Sequence, residues 1–316
     1  MQIETVSRLD DRHLTQLREL LEAAARADGH EPIGEHKFLR LRRGDDPDAA
    51  VLAFDTGRLV GYAHVVTYHE GAQRRASCEI VVHPDQRRRG VGRRLFERVM
   101  SVARQQQVRR VDLWAYNHAA ATAEIAAAFE LLPTRRLLHL HRHMAGPVRT
   151  PTPPGVRLRS FQPVDDDEAL LALNNRIFAG HPENGAWTLD DLRARMEQPW
   201  FDPDDVLMLE ADGALAGFCW MKVRDLEAEG RAGEIYVIGT APEAQGRGLG
   251  RYLLTEGLAR LHRRAADVAA IYVDESNQVA VALYESMAFH HHHVDVCYSR
   301  DLSLDGAVGP PAEVAA

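Results

Sequence analysis

Cysteine is scarce in this sequence: its 316 residues include three cysteines, Cys78, Cys219 and Cys297. They are far apart in the chain and stand in apolar contexts, so they show neither a disulfide framework nor the spacing of metal ligands. Reduced cysteines buried in a core are typical of cytoplasmic proteins. We therefore expect a cytoplasmic protein without disulfides.

The sequence also lacks an excess of basic residues and a long apolar run. The 38 Lys and Arg are outnumbered by 46 Asp and Glu, which gives a formal net charge of −8 and argues against a nucleic-acid partner. No apolar run reaches the roughly 18 residues that a membrane helix needs. The first residues, MQIETVSRLDD, do not combine a basic segment with an apolar stretch, so no secretory signal is expected.

A run of four histidines, His290 to His293, lies inside the chain just before the strand-like segment VDVCY. Because alternate residues of a strand face opposite sides, four consecutive histidines cannot converge on one metal ion. A structural or solvated role is the favoured interpretation, and no metal site is predicted.

The length and a Pro- and Gly-rich segment, GPVRTPTPPG, divide the chain into two parts. A chain of this length is typical of two domains, and a segment of this composition is typical of an extended linker. We predict an N-terminal domain at 1–145, a linker at 146–155 and a C-terminal domain at 156–304. The small residues of 305–316 are predicted to be a disordered tail.

The two halves repeat the same order of elements. Each begins with a helix, at 10–27 and at 165–178, and continues with two strands joined by a glycine-containing turn, then a strand that ends in proline. The correspondence holds over the whole length: Gly57 matches Gly213, Pro84 matches Pro242 and Phe129 matches Phe289, at offsets of 156, 158 and 160 residues. So small a drift indicates a true internal repeat.

Both halves carry a glycine-rich turn between a strand and a helix, RRRGVG at 87–92 and QGRGLG at 245–250. Glycines let backbone N–H groups approach a pyrophosphate, and the N-terminus of the following helix favours its negative charge. A tight strand-to-helix turn would explain one such motif equally well. Two copies in the same context, each three residues after a proline, favour a phosphate-binding loop.

This pattern resembles the GNAT family of acyl-CoA N-acyltransferases, and the resemblance covers nearly the whole chain as two copies. It implies an α/β fold of two tandem domains, each with a mixed, mostly antiparallel sheet flanked by helices, acetyl-CoA as co-substrate and no metal. In the second domain the implied CoA-binding residues are Ile238, Gly239, Thr240, Gln245, Gly246, Arg247, Gly248, Leu249, Gly250, Arg251 and Asn277. In the first they are Ile80, Val81, Val82, Arg88, Arg89, Gly90, Val91, Gly92 and Arg93.

Three further segments, NNRIFAGHPENGAWT (174–188), PWFDPDD (199–205) and GEIYVIG (233–239), are more specific. They resemble the mycothiol synthases, which are tandem members of that family. The resemblance implies transfer of an acetyl group to the cysteinyl amine of a cysteinyl-glucosaminyl-inositol. The substrate contacts that it implies are Glu35, contributed by the first domain, and Glu183, Lys222, Glu234 and Tyr272 in the second.

Acetyl transfer from a thioester needs a base for the amine, N–H donors for the carbonyl oxygen and an acid for the departing thiolate. Glu234, on the strand before the second turn, can act as the base, directly or through a water, and backbone N–H groups around 237–239 can polarise the carbonyl. Tyr284, in the last helix, can be the acid because the pKa of a phenol, about 10, is close to that of a thiol. The resemblance assigns the same roles, although a solvated carboxylate and a core aromatic would each explain one residue equally well.

The first half lacks this pair. The repeat offsets place Ala76 and Glu124 at the two positions; alanine cannot accept a proton, and an anionic carboxylate is a poor donor to a thiolate. Glu79 corresponds instead to Val237. We therefore expect the first domain to bind CoA at most, and a solvated basic turn explains its residues 87–94 equally well.

The sequence thus predicts a monomeric, cytoplasmic acetyltransferase that binds acetyl-CoA and a small-molecule amine, without a nucleic-acid or membrane partner. Two alternatives stay open. A tandem acetyltransferase of another amine or amino-sugar, such as an aminoglycoside, would use the same catalytic pair. A non-catalytic CoA-binding sensor is the other, and the presence of both Glu234 and Tyr284 argues against it.

Overall fold

The computed structural model describes residues 1–34, 37, 49–70, 73–118, 120–146, 150–181, 186–226 and 230–303. The helices that we discuss are α1 (Asp11–Asp28), α2 (Val91–Gln105), α3 (Ala120–Ala128), α4 (Asp167–Ile177), α5 (Leu189–Met196), α6 (Leu249–Arg263) and α7 (Gln278–Ser286). The strands are β1 (Gln2–Val6), β2 (Ala49–Asp55), β3 (Arg58–Glu70), β4 (Gln73–Val82), β5 (Arg110–Ala115), β6 (Leu132–His143), β7 (Val156–Ser160), β8 (Val206–Ala211), β9 (Ala214–Leu226), β10 (Gly230–Thr240), β11 (Val268–Asp274) and β12 (His290–Asp301). Among the described residues, none of the helices combines the length and the apolar character that a membrane crossing requires.

The first helix shows how local sequence sets the ends of an element. Asp10 caps α1, because its side chain accepts a hydrogen bond of 2.8 Å from the backbone N–H of His13, which satisfies one of the first N–H groups of the helix. Gly29 ends the helix in the left-handed region, with φ of 73°, where glycine carries no steric cost. The helix predicted at 10–27 is therefore present at Asp11–Asp28.

The tertiary contacts group the chain into two compact units. The first unit comprises Met1–Arg136 and the segment that starts at Val294, and the second unit comprises Leu137–His293. These divisions differ from the predicted boundaries. The second half of β6 lies before the predicted linker but belongs to the second unit, and most of β12 lies in the predicted second domain but belongs to the first unit.

The sheet of the first unit has the strand order β1-β2-β3-β4-β5-β12. Only β4 and β5 pair in parallel, and the other neighbours are antiparallel. Because side chains alternate along a strand, Leu52 packs in a cluster with Leu20 of α1, whereas the adjacent Val51 packs with Leu95 and Phe96 of α2. Two helices therefore bury opposite faces of one sheet.

The sheet of the second unit repeats this arrangement with the order β7-β8-β9-β10-β11-β6, where β6 contributes Leu137–His143. Again one pair, β10 and β11, is parallel, and the others are antiparallel. These topologies confirm the predicted fold class, two mixed and mostly antiparallel sheets flanked by helices. They also show why the predicted boundaries differ: an alternating strand does not specify which sheet edge it will pair with.

Glycines reveal which face of the second sheet each helix covers. A Cβ built on Gly233 would lie 2.6 Å from Leu261 Cδ2 of α6, so Gly233 faces α6 and allows its close packing. A Cβ built on Gly239 would lie 2.5 Å from Ile177 Cγ2 of α4, so Gly239 faces the other side. We call the two sides the α6 face and the α4 face.

The PWFDPDD segment has a structural role in this unit. Asp205, which is fully buried, lies 2.7 Å from Arg260 and 3.4 Å from Arg264, and Asp202 lies 2.6 Å from Arg264. Both arginines belong to the C-terminal end of α6. The carboxylates therefore join the start of β8 to that end of the helix, where positive side chains also complement the helix dipole.

Replacement Asp205→Asn is expected to lower the free energy of unfolding by about 3 kcal/mol, the lower end of the range for breaking a buried ion pair, since both guanidinium groups are partly solvated. Urea denaturation of the full chain measures this change. Asp204→Asn is the matched control, because Asp204 is largely exposed and lies 3.8 Å from Arg260. Equal losses for the two variants would contradict a specific role for Asp205.

Candidate active site

The turn at 245–250 has the geometry of an anion cradle. Gly246 and Gly248 have φ of 74° and 76°, and α6 begins at Leu249 without a side-chain cap at Gly248. The N–H groups of the first helical turn have no partner within the helix, and left-handed residues direct neighbouring N–H groups to one side. A Cβ on either glycine would meet nothing within 4 Å, so conformation rather than crowding favours glycine there.

Strands β10 and β11 pair only along the first part of β10. The register joins residues 232–235 to residues 268–271, while β10 continues to Thr240 and stays paired with β9 as far as Gly217. Beyond Ile235, the edge of β10 that faces β11 therefore lies outside the register of this pair. A strand edge of this kind can hydrogen-bond an extended ligand through its backbone.

A β-bulge interrupts the β9–β10 register between Ile235 and Val237, at the point where the two parallel strands separate. Bulges re-aim side chains next to active sites. Here Tyr236 points to the same face as Glu234, because its ring contacts Trp200 and Trp220. The bulge therefore adds an aromatic side chain beside the carboxylate.

Glu234 lies on the α4 face, since its neighbour Gly233 faces α6 and successive residues of a strand alternate. Its side chain is 17% exposed, and Oε2 accepts a hydrogen bond of 3.4 Å from Arg224 Nη2. In the register of β9 and β10, Glu234 stands directly opposite Lys222. The predicted base thus lies beside two cationic side chains and is accessible to solvent.

Lys222 is buried, with 3% of its surface exposed. Its Nζ lies 4.7 Å from the centre of the Trp200 ring and 5.3 Å from that of Tyr236, distances at which a cation is attracted to an aromatic face. Arg195 donates a hydrogen bond of 3.1 Å to the Tyr236 hydroxyl and lies over the Trp187 ring at 4.0 Å. These residues form a wall of alternating cationic and aromatic groups on the α4 face.

Most of this wall was missed by the sequence prediction, which named only Lys222 among these residues as a substrate contact. A signal was present, because Trp200 and Tyr236 stand inside the family-specific segments PWFDPDD and GEIYVIG. They converge through tertiary contacts, because the rings of Trp200, after α5, and Trp220 of β9 both contact Tyr236 at the bulge.

Tyr284 belongs to α7 and is buried. Burial raises the pKa of this phenol above its ordinary value, and the nearby Cys219 thiol raises it further. Cys219 faces α6, because a Cβ built on Gly257 would lie 2.9 Å from its sulfur. Tyr284 therefore lies on the α6 face, on the opposite side of the sheet from Glu234. Side chains from both faces can approach a group that is held where β10 and β11 separate.

Asn277 is the N-cap of α7, where its side chain accepts a hydrogen bond of 3.2 Å from the N–H of Ala280. Arg251, at the start of α6, donates a hydrogen bond of 2.7 Å to the Ser286 hydroxyl of α7. Arg251 thus ties α6 to α7, and Asn277 fixes the start of α7. Contact of these residues with CoA stays a prediction.

In the first unit the strand register shifts the predicted equivalence by one residue. Val66 corresponds to Lys222 at the repeat offset of 156, and its partner in β4 is Ser77, not Ala76, which packs in the core with Leu95 of α2. The difference arises because β10 carries a bulge between Ile235 and Val237 and the described register of β3 and β4 runs without one. Serine at this position still provides no carboxylate base.

Glu79 of the first unit is almost fully buried. It pairs with Lys37 at 2.9 Å and accepts hydrogen bonds from the hydroxyl of Tyr116 at 2.5 Å and from the N–H of Gly34 at 3.0 Å. A carboxylate that is neutralised and hydrogen-bonded in this way is a structural group. Unlike Glu234, the Glu79 side chain is not accessible to solvent.

The first-unit turn repeats the backbone of the second, with φ of 62° at Arg88 and 77° at Gly90. Arg88 pairs at 2.7 Å with Glu124, the residue that replaces the predicted acid, and Arg87 forms a bidentate pair with Asp28. The second turn also carries a paired arginine, since Arg247 lies 2.8 Å from Asp212. The charges beside the turns therefore do not distinguish the two units, and CoA binding by the first stays a prediction.

Three predicted substrate contacts remain, and the structure describes only one of them. Glu35 and Glu183 lie outside the described residues. Tyr272 is on β11 and is 42% exposed, and its ring stacks on that of His139 of β6 at 4.1 Å with an interplanar angle of 10°. In the register β10–β11–β6, Tyr272 and His139 continue the face that carries Glu234.

Several imidazoles gather on this part of the α4 face. His139 and His141 alternate along β6, and His292 approaches them from β12, so that one ring nitrogen from each lies within 4.8 Å of the others. Burial and the neighbouring histidines lower the pKa of His139 to about 2 and that of His141 to about 4. The argument that four consecutive histidines cannot converge on one metal ion holds for a single strand. It did not consider the histidines of the neighbouring strand.

Comparison with known proteins places the chain in a family. The profile of the acetyltransferase (GNAT) family matches residues 14–126 and 169–289. A mycothiol acetyltransferase of Thermobispora bispora is 44% identical over 285 residues, which cover 89% of this chain and 94% of that protein. One from Salinispora arenicola is 41% identical over 306 residues, covering 94% and 96% of the two chains.

Solved structures show the same fold at lower sequence identity. A tandem GNAT protein from the clavulanic acid biosynthesis pathway superposes with a TM-score of 0.70 at 19% identity, over 98% of this chain and 99% of that one. A GCN5-related N-acetyltransferase from Sphaerobacter thermophilus gives a TM-score of 0.65 at 22% identity, over 95% and 96%. The chain belongs to the acetyltransferase (GNAT) family, as a tandem member related over nearly its full length to the mycothiol acetyltransferases.

Proposed function

We propose that this enzyme transfers the acetyl group of acetyl-CoA to the cysteinyl amine of desacetylmycothiol, a cysteinyl-glucosaminyl-inositol, to give mycothiol and CoA. The observation that carries the proposal is the 44% identity, over 89% of the chain, to relatives named mycothiol acetyltransferase. The second unit is proposed to hold the single active site, because it combines the accessible Glu234 with Tyr284.

Acetyl-CoA fits the features at the N-terminus of α6. The N–H groups of the turn with Gly246 and Gly248 suit its pyrophosphate. The edge of β10 beyond Ile235 suits its pantetheine arm, which carries amide groups that can pair with strand backbone. This placement brings the thioester to the site where β10 and β11 separate, between the α4 face and the α6 face.

In the proposed reaction the amine nitrogen attacks the thioester carbonyl carbon and loses a proton to Glu234, directly or through a water. Backbone N–H groups of the bulged segment at 237–239 stabilise the oxyanion that forms. The C–S bond then breaks, and the departing thiolate takes the proton of the Tyr284 hydroxyl. Since Glu234 and Tyr284 lie on opposite faces of the sheet, the amine and the CoA sulfur are served from different sides.

The wall around Lys222 supports a polyol amine as the acceptor. Lys222 and Arg195 provide N–H donors for hydroxyl groups, and the faces of Trp200 and Tyr236 offer flat apolar surface for a sugar ring. The carboxylate of Glu234 attracts the ammonium form of the substrate before it is deprotonated. A site built to hydrogen-bond hydroxyl groups discriminates strongly against amines that lack them.

Competition between acceptor amines tests the proposal. The decrease of the acetyl-CoA thioester absorbance is followed with desacetylmycothiol, glucosamine, free cysteine and an aminoglycoside as acceptors, because the thiol of two of these would obscure an assay of released CoA. The product with desacetylmycothiol should gain one acetyl group by mass, keep a free thiol and resist hydroxylamine, which cleaves thioesters. Preference for an aminoglycoside would replace the proposed substrate, and no turnover with any amine would favour a CoA-binding sensor.

A further inference from the structure

Three histidines from two strands meet on the α4 face of the second unit, and the acetyl-transfer reaction does not use them. The His139 and His141 rings are 4.5 Å apart and nearly perpendicular, and the His292 ring stacks on that of His141 at 3.9 Å. His139 is buried, His141 is half-buried and His292 is exposed. The cluster is therefore supported from within the sheet and open to solvent at one side.

We propose that His139, His141 and His292 form a binding site for a divalent transition-metal ion such as Zn²⁺. Imidazole nitrogen is a preferred ligand of zinc, copper and nickel. Three protein ligands and one open position for water are the usual arrangement of an accessible zinc site.

The geometry requires only small movements. Nitrogens that bind one tetrahedral zinc ion are about 3.4 Å apart, given Zn–N distances near 2.0–2.1 Å, and the three candidate ligand atoms already lie within 4.8 Å of one another. His292 is exposed, so its side chain is the one of the three that is free to adjust its rotamer. Strand β6 holds the other two rings in place from below.

Neighbouring side chains hold the His139 ring in orientation, as they do for metal-binding histidines. Its Nδ1 lies 3.1 Å from the Nδ1 of His293, and its ring is stacked on Tyr272. Partners of this kind orient a ligand ring and leave its other nitrogen for a metal.

The site lies on the same α4 face as Glu234, but on other strands. Glu234, Ala270 and His141 stand side by side on β10, β11 and β6, so Glu234 and His141 are two strand spacings, about 10 Å, apart. Metal binding to the cluster does not depend on the proposed acetyl transfer. It is tested by direct binding, whatever the acceptor amine proves to be.

The full chain is produced without an affinity tag, and isothermal titration calorimetry with Zn²⁺ measures the binding. We expect one site, which His141→Ala and His292→Ala each weaken by about 100-fold or more, since even supporting partners of metal ligands contribute 10- to 100-fold. His290→Ala combined with His291→Ala is the matched control, because both are exposed members of the same run and lie outside the trio. The control should bind Zn²⁺ as the unchanged chain does.

Cobalt serves as a second probe, because Co²⁺ in a four-coordinate site absorbs visible light much more strongly than hydrated Co²⁺. The unchanged chain and the control should show this absorbance, and His141→Ala should not, while thermal unfolding confirms that each variant is folded. Loss of binding in the control together with retention in His141→Ala would assign binding to the linear histidine run. Absence of Zn²⁺ binding by the unchanged chain would show that the rings serve packing alone. Either result overturns the proposal.

Discussion

Replacement Glu234→Gln is expected to lower kcat by about 10²- to 10⁴-fold, the usual contribution of a general base, with little change in the KM for acetyl-CoA. Gln keeps the size and the polarity of the side chain but cannot accept the proton of the amine. The proposed CoA-binding features lie elsewhere, at the turn with Gly246 and Gly248 and along the edge of β10, so cofactor binding should persist.

A loss of folding stability would not explain such a decrease in kcat. Glu234 is partly exposed, and its ion pair with Arg224 is 3.4 Å long; ion pairs of this kind contribute little to stability. The variant should therefore unfold at nearly the same temperature as the unchanged enzyme.

Steady-state kinetics with varied acetyl-CoA and varied acceptor measure these effects. Glu168→Gln is a suitable control, because it removes an exposed carboxylate of α4 without touching the sheet. A Glu234→Gln enzyme with unchanged kcat would remove Glu234 as the base. An equal loss in the control would mean that overall charge, not the position of Glu234, controls the rate.

Replacement Tyr284→Phe is expected to lower kcat by about 10²-fold or more, because the departing CoA thiolate loses its proton donor. Burial raises the pKa of Tyr284 above its ordinary value of 10.0, so the phenol stays protonated at neutral pH. The raised pKa also makes Tyr284 a weaker acid than the ordinary phenol whose pKa is close to that of a thiol. The pH profile of the variant should therefore keep its shape, since no ionisation of Tyr284 contributes to it in that range.

The choice of leaving group sharpens this test. An acyl donor whose thiol has a lower pKa needs less help from an acid, so the difference between Tyr284→Phe and the unchanged enzyme should shrink with such a donor. Tyr298→Phe is the control, because Tyr298 of β12 is buried to a similar extent and lies in the first unit. An unchanged rate for Tyr284→Phe, or a loss of the same size for the control, would contradict the role of Tyr284.

The repeat and the glycine-rich turns were open to prediction because each is a local property of the chain. A glycine at a left-handed position, such as Gly248, a proline before a turn and a change from alternating to helical periodicity all act within a few residues. For the same reason the ends of α1 follow from Asp10 and Gly29. The identity of the catalytic pair came from family resemblance at matching positions, and its roles stay predictions.

The bulge in β10 shows where this approach stops. A constant repeat offset assumes that corresponding strands of the two halves have the same number of residues. It therefore matched Glu234 with Ala76 instead of Ser77. A bulge adds one residue to one strand and reverses the faces beyond it. The local pattern of GEIYVIG does not predict the bulge, because the position of the bulge depends on pairing with β9.

The sequence by itself determined the two-fold repeat, the α/β class, the two glycine-rich turns and the lack, in the first half, of a carboxylate at the position that corresponds to Glu234. Only the tertiary structure decided which sheet receives β6 and β12, how Lys222 comes to lie among Trp200 and Tyr236, and that His292 meets His139 and His141. The physical reason is that strand pairing and cross-strand contacts join residues far apart in the chain. Their partners are selected by complementary edges and buried surface, which the local order of residues does not encode.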